Sequence, residues 1–440
     1  MSGSGYFTRL AAVLVACALL GLMIIRPDAG ERAVDKVISL TPSPAALATR
    51  PCAQGEAPLK GPFANIDDIV SVSPLGAITA PGEALPAPYI RINTRKGETI
   101  FERRMTAALS PGRADITAIE RRFARIGQNK IIESWTVHLQ ICDSIDLYYD
   151  RLDSLDPDIL RRAGGLTAFT EIGGPEHLAV TTQIRINLGD TIGSSDGFDV
   201  ALHDLSAKPA TLARPERYRT NPYARAAVLD APPSILEAIS SDQTKARCAL
   251  NYLNQDFRAD WEKKLGDAFG IRRAKGENAC RTALIDMPGT AQGTWFTDSS
   301  HNAATTKVSA IALAPDTIDQ SRLIFALHGR VKSLTPELIA LAPVLDEQKT
   351  NAAKDFLTFE KGNGLTNASF ALVKENETYC YNRLRANFVG PKILGIILLQ
   401  VSTDETGTAL MKIEARGDIL SCADLREPWT FSGNETTFYR

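Results

Sequence analysis

A mainly β (α+β) fold is what the sequence predicts, and three observations predict it. Residues 131–142 alternate strictly, Trp135, Val137, Leu139 and Ile141 against Thr136, His138, Gln140 and Cys142, the period-two signature of a half-buried strand. Residues 184–205, IRINLGDTIGSSDGFDVALHDL, read as strand, glycine turn, strand. Beyond Cys280, short β-like runs at 282–287, 308–314, 323–327, 368–374, 393–401 and 409–414 are separated by turns such as 404–407.

The chain begins with its one extreme feature. Residues 10–25 (LAAVLVACALLGLMII) carry no polar side chain, and at 1.5 Å rise per residue they cover about 24 Å as a helix. They end in Arg26-Pro27-Asp28 rather than at small residues, so an uncleaved transmembrane anchor is expected over an export signal. Leu14-Val15-Ala16-Cys17 is like a lipoprotein processing box, but apolar residues continue well past Cys17. From 28 to 62 proline, alanine, threonine and charge dominate, the composition of a tether. Short β-like runs follow at 66–72 and 89–93, with a Pro81-Gly82 turn between them, and 144–150 reads as a further strand. Around 231 the period changes: 234–240 and 246–269 place apolar residues at helical three- and four-residue spacings. A short helix is expected at 337–341. The expected organisation is an anchor or signal at 1–27, a tether at 28–62, a β domain at 63–225, a helical region at 226–280 and a β-rich domain at 281–440.

With 440 residues and a net charge of −2, the chain has no electrostatic footprint for nucleic acid. Arg121, Arg122 and Arg125 read as a solvated helix face. Six cysteines lie outside the apolar segment: Cys52, Cys142, Cys248, Cys280, Cys380 and Cys422. None forms a Cys-x-x-Cys pair, and an even count in an exported chain points to disulfides and an oxidising compartment. Fifteen pairings are open. Cys248 with Cys280 and Cys380 with Cys422 each lie within one block, and Cys52 with Cys142 remains by elimination.

Three constellations could carry chemistry. Gly193-Ser194-Ser195-Asp196-Gly197 matches the Gly-x-Ser-x-Gly elbow of hydrolases, but strand-like alternation follows it where an elbow needs a helix. Ala326-Leu327-His328-Gly329 has the His-Gly of an oxyanion segment, on the wrong side of that serine. The third combines Tyr148-Tyr149-Asp150-Arg151-Leu152-Asp153-Ser154-Leu155 with Leu188-Gly189-Asp190-Thr191-Ile192-Gly193 and then Asp199-Val200-Ala201. On these motifs, residues 65–205 resemble the lysostaphin-type (LytM-like) zinc endopeptidases of bacterial cell walls, a duplicated hybrid motif, and in particular their degenerate relatives. The resemblance implies a peptidase-like antiparallel β-sheet domain and a groove for wall peptide. It also implies that Arg151 replaces a catalytic histidine, and that Asp199 and Ala201 replace a His-x-His pair. The family's first ligand pair belongs within 69–115, an interval without histidine. His203 lies four residues from Asp199, about 13 Å along a strand, where two ligands of one metal favour two-residue spacing. The segment from Asp286 to Phe296 (DMPGTAQGTWF) is similar to one in exported proteins carrying such a domain. Its glycines suit a turn that docks aromatics on a core.

The expectation is a single-pass protein of the inner (cytoplasmic) membrane with its body in the periplasm or outside the cell. It leans away from an enzyme and calls for no cofactor or catalytic metal. Arg151, Asp199, Ala201 and His203 would form a vestigial face that binds cell-wall glycan-peptide or an envelope protein. Two alternatives stand beside it: an active zinc endopeptidase with unrecognised ligands, and a C-terminal β-barrel holding a small apolar ligand.

Overall fold

A computed structural model describes residues 50–78, 86–94, 104–126, 130–172, 174–209, 211–215, 233–239, 242–274, 280, 286–297, 310–328, 356–386 and 395–440. The apolar segment 10–25, most of the tether, the Pro81-Gly82 turn and the helix expected at 337–341 lie outside them. Among the described residues, no helix is long and apolar enough to cross a membrane.

The fold is mainly β. In chain order the strands of the first part are β1 (Ile69–Ser73), β2 (Ile90–Thr94), β3 (Thr106–Leu109), β4 (Ala114–Ile126), β5 (Lys130–Cys142), β6 (Ile145–Leu152), β7 (Ser154–Leu155), β8 (Thr170–Glu171), β9 (His177–Ile186), β10 (Thr191–Ser195), β11 (Gly197–Asp204) and β12 (Ala246–Arg247). Nine of them form one antiparallel sheet in the order β1-β2-β11-β6-β5-β4-β9-β8, with β12 added to β11. The remaining three form a small sheet, β3-β10-β7. There β10 runs so close to β7 that a Cβ on Gly193 would lie 2.2 Å from the Ser154 carbonyl oxygen, so only glycine fits.

Strand alternation gives the large sheet two unlike faces. One is apolar: Ile90, Ile92, Ile119, Val137, Leu139, Leu147, Tyr149, Phe198, Val200 and Leu202 are buried in the main core, with Leu59, Phe63, Leu250, Leu253 and Trp261 packed on them. Phe63 meets Trp261 and Tyr149 edge to face, and Tyr149 donates its hydroxyl to the Leu109 carbonyl at 2.6 Å. The other face is polar.

Two local expectations need correction. The arginines at 121, 122 and 125 are on strand β4, not on a helix. An extra residue at Thr117 shifts the β4 register between Ile116 and Ala118 and so breaks the period-two pattern in the sequence. The helix expected over 246–269 is also broken: it divides into β12, a 3₁₀ turn at Ala249–Tyr252 and a helix at Gln255–Glu262. Leu253 is extended, and the Asn254 side chain caps the backbone N–H of Asp256, which starts the helix afresh. The periodic residues Leu250, Leu253, Trp261 and Leu265 are nonetheless buried; the pattern reported burial, not continuous helix.

The C-terminal part comprises β13 (Gly293–Phe296), β14 (Ala310–Pro315), β15 (Arg322–His328), β16 (Phe356–Glu360), β17 (Thr378–Tyr381), β18 (Arg385–Ala386), β19 (Ile396–Thr403), β20 (Ala409–Arg416) and β21 (Thr436–Tyr439). The run expected at 368–374 holds a 3₁₀ turn, Phe370–Leu372, instead of a strand. The order is β17-β19-β20-β21-β13-β14-β15-β16-β18. Its two end strands are consecutive in the chain, so the sheet curls back on itself as a half-barrel. The interior is filled: the rings of Phe325, Phe359, Phe370 and Tyr381 lie 5.0–5.7 Å apart in every pairing. The segment beginning at Asp286 serves packing. Trp295 is fully buried, donates Nε1–H to the Ala291 carbonyl at 2.9 Å, and carries the Arg440 guanidinium 4.1 Å above its ring. A Cβ on Gly293 would lie 2.3 Å from Asp286 Oδ1.

Three disulfides tie the body: Cys52–Cys142, Cys248–Cys280 and Cys380–Cys422, including both pairs expected from the block structure. An oxidising, extracytoplasmic compartment is where such bonds form and persist.

Candidate functional site

The polar face of the large sheet gathers five titratable side chains whose surroundings shift them, Glu120, Arg122, Asp146, Asp199 and His203. Registers place Glu120 and Arg122 of β4 beside His138 and Thr136 of β5 and His177 of β9. On β6 Asp146, Tyr148 and Asp150 share that face, followed on β11 by His203, Ala201 and Asp199 and on β2 by Arg91 and Asn93.

Glu120 is the hub of one end. Its Oε1 lies 2.7 Å from His138 Nε2 and its Oε2 lies 2.7 Å from His177 Nε2, while Arg122 donates to Oε2 at 2.8 Å. Burial alone would raise its pKa; the Arg122 charge and the two imidazole hydrogen bonds outweigh that and hold the carboxyl well below its ordinary value. Arg122 also lies 3.5 Å from Asp150, which accepts from Thr136 Oγ1. At the other end Arg91 donates to Asp199 through Nε at 2.7 Å and Nη2 at 3.1 Å, a two-point pair. Asp199 is fully buried, and burial raises its pKa against the opposing pull of Arg91.

Between the ends, the Tyr148 ring stands 5.6 Å from the His138 ring and 5.7 Å from that of His203, the latter nearly parallel. His203 is buried, with Nε2 3.4 Å from Gln243 Oε1, and burial lowers its pKa to about 4. Burial likewise raises Asp146, to about 6. His138, Gln140, Asp146, Tyr148 and Asp150 are all half-buried, whereas Asp199, Ala201 and His203 are covered. The accessible floor of the face is therefore β5 and β6, one strand away from β11.

The sequence-selected residues are distributed as follows. Asp199, Ala201 and His203 share the polar face of β11. Arg151 is exposed at a bulge of β6 with φ 64°, and Asp199 is paired with Arg91 instead of with it. Sequence reasoning missed Arg91, Glu120, His177 and Asp146; the Asp146/Tyr148/Asp150 alternation is visible in β6, but Arg91, Glu120 and His177 come from three other strands, β2, β4 and β9. Ser195 is buried, its hydroxyl 2.9 Å from Asp153 Oδ2 and 3.0 Å from the Arg151 carbonyl, and a strand follows it, so its bonds hold a turn. His328 ends β15, and Gly329 lies outside the described residues.

The donor set does not fit a catalytic zinc. Ala201 offers no donor atom, Arg151 cannot give up its proton, and both oxygens of Asp199 are taken by Arg91. Among the described residues, the one group of possible metal donors close enough together is Cys52, Cys142 and Asp143, and its two sulfurs are bonded to each other. No family model, no curated protein and no solved structure matches the chain.

Proposed function

We propose that the chain is a membrane-anchored protein of the cell envelope, held at the inner membrane by residues 10–25, with its body in the periplasm. In this reading its large sheet is a peptidase-like domain that binds cell-wall glycan-peptide without cutting it. The Arg91–Asp199 pair carries the reading. The interval in which the resemblance asks for the first ligand pair contains β2, which lies against β11 and sets a guanidinium on Asp199. An internal cation thus occupies the carboxylate that a metal would need. The half-buried strip beside it offers charges of both signs, imidazoles and a Tyr ring, groups that hold polar peptides and sugars. An active zinc enzyme has less support, because the face supplies too few free donors. A C-terminal pocket for a small apolar ligand has less as well, because packed rings fill the curled sheet.

Sedimentation of the full chain with purified wall polymer tests the proposal, with metal content and released peptides measured in parallel. Binding without release of peptide is expected. One equivalent of tightly held zinc, with cleavage abolished in His203→Ala, would establish the enzyme instead.

A further inference from the structure

The polar strip holds one carboxylate that the protein's own cations do not use. Asp146 lies half-buried on β6, opposite Gln140 on one side and His203 on the other, and makes no hydrogen bond or ion pair with any described residue. The cations around it are engaged elsewhere. Arg122 serves Glu120 and Asp150, Arg91 serves Asp199, and Arg247 donates to the Thr244, Ala246 and Lys208 carbonyls. His138 is turned to Glu120, and His203, held at about 4 by burial, is neutral at pH 7. Burial raises the Asp146 carboxyl to about 6 against the weaker pull of His138. Beside it the half-exposed Tyr148 ring presents a π-surface between the two imidazoles.

We propose that Asp146 and the face of Tyr148 form a subsite for a primary ammonium on a flexible chain, of the lysine type that peptides carry. A compact ammonium supplies the missing positive charge to Asp146, leaves two further N–H donors for neighbouring acceptors, and gains from the ring quadrupole of Tyr148. The subsite rests on the reading of this face as a peptide-binding surface, and it names the group by which the ligand is held.

The test uses the full chain with aspartate 13C-labelled at the side-chain carboxyl and labelled histidine, and two probes, Nα-acetyl-lysine amide and its Nε-acetylated counterpart. The charged probe is expected to move the Asp146 carboxyl resonance and the His138 and His203 ring signals. It should also bring the Asp146 titration midpoint down from about 6 toward the ordinary carboxylate range. The acetylated probe should do neither, Asp146→Asn should abolish the histidine shifts, and Tyr148→Leu should weaken binding by roughly three- to tenfold. Equal responses to both probes, or no response to either, would overturn the subsite. So would Zn2+ alone moving Asp146, His138 and His203 at equimolar concentration while the lysine probe does not. If Asp146→Asn still binds wall polymer, with shifts at His177, the subsite fails and the binding face stands. If the lysine probe binds at Asp146 while wall polymer moves no signal on the face, the ammonium subsite stands and the wall-binding reading fails.

Discussion

The described residues form two nine-stranded antiparallel sheets, and they handle polar groups in opposite ways. The first buries its apolar face and leaves on the other a row of carboxylates, imidazoles and arginines, some fully covered and some half-open. The second curls around an aromatic cluster and admits few polar atoms to its interior; one of them, the Tyr381 hydroxyl, is buried with no partner among the described residues. Burying an unpartnered polar group opposes folding in either place. In the second sheet that cost attaches to hydroxyls inside the packing, those of Tyr381 and of Thr294 on β13. In the first it attaches to the buried Asn93 Oδ1, whereas Asp146, half-buried beside an accessible strip, stays within reach of a ligand.

The largest expected effect concerns what ties the first sheet. Cys52 and Cys142 are 90 residues apart, and a loop of that size corresponds to about 4.6 kcal/mol in the chain-entropy model. The double change to serine should lower denaturant stability by about that much, more than for the 32- and 42-residue separations of the other two bonds. Next comes the second sheet's interior. Phe325→Ala removes a ring touching three others and should cost about 4 kcal/mol, measured by unfolding, without altering ligand signals on the first sheet.

Glu120→Ala should cost about 2–3 kcal/mol. It leaves two imidazoles and Arg122 without their carboxylate, although Arg122 is 38% exposed and can rehydrate. A loss under 0.5 kcal/mol would mean that the hub contributes nothing. The smallest changes run the other way. Tyr381→Phe should stabilise by about 1 kcal/mol, and Asp146→Asn by about 1–2 kcal/mol at pH 7 after allowance for its partial exposure. Only the second should impair binding. Stability gained where function is lost is the mark of a site, and equal neutrality of both variants toward ligand would erase the contrast between the sheets.

Acid titration separates two neighbours on the face. His203 has a folded pKa of about 4 against 6.5, so the unfolded chain binds the extra proton and stability is lost as pH falls from about 6.5 to 4, by up to about 3 kcal/mol. Asp146 has a folded pKa of about 6 against 3.8, so the folded chain binds the extra proton and stability is gained as pH falls through much of the same window. The two offset each other in the native protein. Asp146→Asn removes the gain and should expose the full His203 loss; an unchanged acid limb would show that the two groups are not placed as described.

Much of this was legible in the residues. The alternation at 131–142 and 184–205 marks β5, the end of β9 and β11, whereas β10 (Thr191–Ser195) falls where a glycine turn is expected. Two of the disulfide pairs follow from block boundaries and the third, Cys52–Cys142, by elimination. What stayed hidden depended on chain-distant pairing. Arg91 and Asp199 are 108 residues apart, and Glu120 and His177 are 57 apart; no local pattern joins them. The bulge at Thr117 cuts the alternation of β4 in two, and in the half after it arginines stand on both faces, Arg121 and Arg125 on one and Arg122 on the other, so no clean apolar side marks the strand. The cap at Asn254 could have been read from the sequence, but the strength of the apolar spacing across it argued for one helix.

The central claim is that the accessible strip of the first sheet binds wall glycan-peptide and does not cleave it. The chain has five histidines, three of them on this face, so histidine-labelled protein reports on it directly. Addition of a soluble wall glycan-peptide fragment should shift the His138 and His203 signals and leave that of His328, on the second sheet, in place, with the fragment's mass unchanged after prolonged incubation. Shifts confined to His328, or a fragment recovered in two pieces, would contradict the account.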